Sequence, residues 1–64
     1  KFKLTNRELE IMHMIIEGMT NKEIAQKVFI AEDTVKVHRK NMMKKLKAKN
    51  VVMLIKVAKD YNII

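Results

Sequence analysis

The side chains with the most chemistry to offer are basic and clustered. Between Lys36 and Lys49 there are seven Lys or Arg residues and no acid. Residues 1–35 carry five basic and six acidic side chains, net −1, whereas residues 36–64 carry nine basic and one acidic, net +8. One-sided charge of this kind repels itself unless it is spread through solvent or meets a polyanion. At helical spacing, Lys36, Val37, Lys40 and Lys44 fall on one side of a helix, with Arg39 at its edge. An α-helix fits the DNA major groove, where Lys and Arg donate to guanine O6 and N7 and an apolar group meets the thymine methyl. Lys36, Val37 and Lys40 are therefore the candidates for base contact. Neighbouring cations, Lys44 among them, are the candidates for phosphate.

Other chemistries lack their residues. The chain has no Cys, Ser, Trp or Pro and a single Gly. Disulfides, zinc knuckles, serine nucleophiles and glycine-rich phosphate loops are thereby excluded. Glu8 and Glu10 lie at the start of a capped helix and do not form a paired acid/base site. His13 faces neither a carboxylate pair nor a thiol and is expected on the surface. His38 falls on an apolar stripe and is expected to be packed and hydrogen-bonded. The six Met residues read as gap-filling core rather than soft-metal ligands. No catalytic residue, metal site or cofactor is expected, and the chain does not read as an enzyme.

The elements that position the basic stripe are helices. Apolar residues recur at helical spacing, and no linker or repeat divides the 64 residues. That length allows one domain, 1–64, with a core worth only about 3–5 kcal/mol. Thr5-Asn6-Arg7-Glu8 is a capping box, and its helix would turn Leu9, Met12, Ile15 and Ile16 inward before stopping at Gly18. Thr20-Asn21-Lys22-Glu23 is a second box, opening a short helix with Ile24, Ala25 and Val28 inward. After a turn at Phe29, Ile30 and Ala31, a third helix covers about Glu32 to Leu46. Glu32 and Asp33 complement the dipole in its first turn, and Lys44 and Lys45 do so in its last. Its buried stripe is Val35, His38, Met42 and Leu46; Met43 lies at the boundary. Asn50 caps a fourth helix over roughly Val51 to Asp60. The fold class is all-α, four helices of about 12, 9, 15 and 10 residues. The second and third form a helix-turn-helix whose start, Thr20 to Lys22, faces phosphate.

The fourth helix carries more apolar residues than one buried face needs. With Leu54, Val57 and Ala58 inward, Val52, Met53 and Ile55 stay partly exposed beside Lys56. Such a cluster marks a partner surface, or a face buried against the rest of a longer protein. Tyr61, Ile63 and Ile64 can extend either surface. The longest apolar run, Val51 to Ile55, is far short of the ~20 residues a membrane span needs, and no signal peptide opens the chain. The expectation is a small, soluble, basic, intracellular domain. A start at Lys1 rather than Met leads to the expectation of a fragment or a processed piece.

At these residues the chain resembles the LuxR-type (GerE- and NarL-like) helix-turn-helix domain of bacterial transcription regulators. The stretches that carry the resemblance are Leu4-Thr5-Asn6-Arg7-Glu8 and Gly18-Met19-Thr20-Asn21-Lys22-Glu23-Ile24-Ala25. They continue with Thr34-Val35-Lys36-Val37-His38-Arg39-Lys40-Asn41 and Lys45-Leu46, in family order from Leu4 to about Ala58. The resemblance implies sequence-specific double-stranded DNA binding by a homodimer on inverted half-sites. In that reading Lys36, Val37 and Lys40 stand at base-reading positions. Asn21, Lys22, Thr34, Arg39 and Lys45 face phosphate or support that contact. It implies a fourth-helix dimer contact, a receiver or sensor domain ahead of this one, RNA polymerase as a possible further partner, and work at the bacterial nucleoid in the cytoplasm. Three positions depart from the family. Ala31 stands where Ser or Thr usually caps the third helix. Lys47 replaces a glycine after the Lys-Leu pair. Val51 replaces a common Arg after Asn50.

Two other readings use the same basic surface. Binding of RNA or a single strand needs aromatics for stacking, yet Phe2, Phe29 and Tyr61 all lie outside the 36–49 cluster. A basic amphipathic module for a protein or an anionic membrane would use the third and fourth helices.

Overall fold

The computed structural model describes residues 3–63. They form α1 (Asn6–Ile16), α2 (Asn21–Val28), α3 (Glu32–Leu46) and α4 (Val51–Asp60), with no strand among the described residues. Both capping boxes close as their sequences dictate. The Thr5 hydroxyl accepts from the Glu8 N–H at 3.0 Å while Glu8 Oε1 accepts from the Thr5 N–H at 2.9 Å. Thr20 and Glu23 repeat the arrangement at 3.1 and 2.8 Å. Asn50 caps α4 by accepting from the Met53 N–H at 2.9 Å. Ala31 sits at the α3 N-cap with extended backbone and no side-chain hydrogen bond, and the Thr34 N–H donates to the Ala31 carbonyl instead, at 3.0 Å.

All four helices end in the same way. A residue with left-handed backbone follows each helix: Gly18 (φ 92°), Phe29 (φ 59°), Lys47 (φ 55°) and Asn62 (φ 55°). The next residue then donates its N–H five positions back, Met19 to Met14, Ile30 to Ala25, Ala48 to Met43 and Ile63 to Ala58. These are Schellman-type closures. In each, the donating residue is apolar and reaches the core: Ala48 is buried, and Met19, Ile30 and Ile63 pack against the buried cluster. Left-handed backbone strains a non-glycine residue by about 1–2 kcal/mol, and the apolar contact one position later offsets that strain.

The core is one cluster in which α1 and α2 both pack on α3, and α4 closes against α1 and α3. Ile11, Met12, Ile24, Val35, Met42 and Leu54 are fully buried. The α2 and α4 faces expected inward are so placed, with Val28 and Val57 half-buried and Ile24, Ala25, Leu54 and Ala58 buried. Two expectations need correction. The inward face of α1 centres on Glu8, Ile11, Met12 and Ile15, with Met14 also buried; Leu9 and Ile16 are half-buried and pack at its edge, and Glu8, Ile11 and Met14 are the residues the expected face lacked. The stripe is rotated because a carboxylate occupies one of its positions. His38 is half-buried as a stripe residue but makes no hydrogen bond among the described residues. Ile63 packs on the core and Tyr61 stays exposed; Phe2 and Ile64 lie outside the described residues.

Candidate nucleic-acid interface

Burying Val35, Met42 and Leu46 fixes the rotation of α3. Its opposite side then presents Lys36, Val37, Lys40 and Lys44 to solvent. Val37 is 56% exposed, an apolar side chain kept on a polar face. Lys40 and Lys44 make no ion pair among the described residues, whereas Lys36 Nζ lies 3.8 Å from Asp33 Oδ1. The stripe is thus open, cationic and carried on a helix locked into the core.

The start of α2 is joined to α3 by a side-chain bond. Arg39 Nη1 donates to Asn21 Oδ1 at 2.7 Å, in a half-buried position. The bond uses one of five guanidinium N–H groups and the amide oxygen. Four Arg39 donors and the Asn21 NH2 stay free to face an anion. Lys22 beside it is exposed, as are Thr20 and Thr34. Thr20, Asn21, Lys22 and Arg39 therefore gather where α2 begins, beside the middle of α3.

Lys45 is held differently. Its Nζ donates to Glu8 Oε1 at 2.8 Å and to the Lys3 carbonyl at 2.9 Å. The Glu8 side chain is 4% exposed and that of Lys45 37%. Burial alone would raise the Glu8 carboxyl. The Lys45 hydrogen bond, the Thr5 N–H and the charges of Lys45 and His38 outweigh it and hold the group below its ordinary value. This pair ties the start of α1 and the segment before it to the end of α3. Sequence reasoning placed Glu8 only in its capping box, and Lys45 at the helix end and among the phosphate-facing residues, without pairing the two. The available signal was the spacing of Glu8 to Ile11, Met12 and Ile15, which puts a carboxylate on the buried stripe and calls for a cation opposite.

On α4, Val52 is 77% exposed and Met53 38%, with Ile55 half-buried and Lys56 paired to Asp60 at 3.0 Å. These residues form a separate apolar patch bordered by an exposed ion pair. Among the described residues, no group of three or more His, Cys, Asp or Glu side chains is placed to hold a metal ion. No helix among the described residues is long and apolar enough to cross a membrane.

Comparison with known proteins converges on one group. Residues 3–58 match the GerE family model, described as bacterial regulatory proteins, luxR family. The chain is 50% identical over 56 residues to the uncharacterized response regulatory protein YgeK of Escherichia coli K12, covering 88% of this chain and 38% of that protein. It is 45% identical over 49 residues to the nitrate/nitrite response regulator protein NarP of the same strain, covering 77% and 23%. The crystal structure of the response regulator ChrA, of a heme-sensing two-component system, superposes with a TM-score of 0.90 at 34% identity. That match covers 100% of this chain and 32% of ChrA. The chain thus spans 23–38% of the length of these relatives.

Proposed function

The chain belongs to the luxR family of bacterial regulatory proteins, a DNA-binding rather than enzymatic module, and from that premise we propose that α3 is its base-reading helix in the major groove. The observation that carries this reading is the exposed stripe Lys36-Val37-Lys40 on a helix whose other side is locked into the core. Lys36 and Lys40 donate to guanine O6 and N7, and Val37 meets a thymine methyl. Thr20, Asn21, Lys22, Thr34, Arg39 and Lys44 hold the flanking phosphates. Lys45 contributes its one remaining N–H, since two are engaged. The whole protein is a longer transcription regulator with a receiver or sensor domain ahead of this one. It acts at the nucleoid in the bacterial cytoplasm and can meet RNA polymerase there. The names of its relatives and the short share of their length support the longer regulator.

Two copies bind inverted half-sites about 10 bp apart centre to centre, paired through Val52, Met53, Ile55 and Lys56. The exposed apolar residues of α4 supply the reason, because a surface of this kind is stabilised by a second apolar face.

Selection of bound duplexes from a random pool reports specificity and half-site symmetry together. Lys40→Ala should weaken cognate binding by about 1–3 kcal/mol and relax one base preference, whereas Lys22→Ala should weaken all sequences alike. If Lys40→Ala leaves cognate and random duplexes bound as before, the base-reading assignment is wrong. Val52→Glu should abolish cooperative occupation of paired half-sites while a single half-site binds unchanged; retained cooperativity removes α4 from the dimer.

A further inference from the structure

The stripe that faces the groove contains one residue of the wrong sign. Asp33 lies three residues before Lys36 and seven before Lys40, so helical geometry places its side chain in line with both. Its side chain is 96% exposed and its Oδ1 is 3.8 Å from Lys36 Nζ. A carboxylate at this position repels phosphate, and dipole compensation at the helix start is already served by Glu32 one residue earlier.

We infer that Asp33 is a specificity-determining residue that works with Lys36 as a couple, reading one G·C base pair. The inference rests on α3 being the base-reading helix. In the major groove a G·C pair presents the acceptors N7 and O6 beside the N4 amino donor of cytosine. O6 and N4 are themselves hydrogen-bonded partners, about 3 Å apart. An ammonium and a carboxylate held near each other on one helix face match that adjacent acceptor and donor. Lys36 donates to guanine while Asp33 accepts from cytosine N4. Reversing the pair to C·G sets like against like at both groups. Replacing cytosine by a base with an acceptor there leaves the carboxylate desolvated and unpaired, an outcome that discriminates strongly. In the unbound chain the same carboxylate keeps the flexible Lys36 ammonium near its working position.

The test is duplex selection followed by affinity measurement on the selected and single-step variant sites, using the chain with Asp33→Ala, Asp33→Asn and Lys36→Ala. Helicity and Tm report that each variant is folded. Asp33→Ala should cut discrimination at one G·C step of each half-site by about tenfold and raise binding to unrelated duplexes. Asp33→Asn keeps the side-chain shape and should move the preference at that step toward adenine, which Asn reads through N6 and N7. Lys36→Ala should relax the same step. If Asp33→Ala strengthens every duplex by one common factor with preferences unchanged, Asp33 is only a repulsive charge and the inference fails while the base-reading helix stands. If Lys36→Ala also leaves every base preference unchanged, the base-reading assignment of Lys36 fails, and the couple with it.

Discussion

Glu8 is asked to do three things with one carboxylate: cap α1, occupy a buried stripe position, and neutralise Lys45. Because its folded-state carboxyl is held below the ordinary value, the unfolded chain takes up a proton first as pH falls. Stability from Glu8 is thus fully present above the ordinary carboxylate range, near pH 4.5, and is lost as pH drops through the lower folded value. Glu8→Gln should cost about 1–3 kcal/mol at pH 7, because a neutral amide oxygen replaces the buried charged acceptor of the Lys45 ammonium. It should also flatten the acid limb of a Tm-versus-pH curve below about pH 4.5. Equal acid limbs in the two proteins would show that the pair contributes nothing. The capping role of Glu8 was readable from Thr5-x-x-Glu8, because capping is local. Its partner, 37 residues away, was not, since no local pattern names the far side of a tertiary contact.

Helix starts and helix ends were unequally legible for a physical reason. A start is written in side chains that bond nearby N–H groups, so Thr5, Thr20 and Asn50 announce theirs. An end is written in backbone conformation, and of the four left-handed residues only Gly18, and less strongly Asn62, advertise it by their type. Phe29 and Lys47 adopt it against their type, because the apolar residue that follows each is drawn into the core. The same logic turns the family departures into measurable costs. Ala31 has N-cap backbone without an acceptor side chain, so Ala31→Ser should stabilise the domain by about 1 kcal/mol. Lys47→Gly should stabilise it by somewhat less, since relief of left-handed strain is partly offset by a more flexible unfolded chain. Urea unfolding measures both. No gain from Ala31→Ser would mean that Glu32 and Asp33 already satisfy the helix start. The order and lengths of the helices followed from the sequence, as did the rotation of α3 through Val35, Met42 and Leu46. The α1 face did not, because polarity disqualified Glu8 from a stripe it occupies.

Across the whole molecule, the charge on the basic half divides into kinds that salt can separate. Lys22, Arg39 and Lys44 reach solvent without an acidic partner among the described residues. Lys45 is neutralised by Glu8, and Lys56 by Asp60. Counterion release follows phosphates neutralised rather than formal charge, with a slope of about −0.9 per contact on duplex DNA. Three phosphate cations in each of two chains then predict a slope of log K against log salt of about −5. The formal +7 of each chain would predict a far steeper one. Anisotropy titrations over a series of KCl concentrations give the slope directly. Lys22→Ala and Lys44→Ala should each lower its magnitude by about 1 per chain, equally on cognate and random duplexes. Lys56→Ala should leave it unchanged. A slope near the formal charge, or one indifferent to Lys22 and Lys44, would mean that the duplex lies along a different part of the basic surface than α3 and the start of α2.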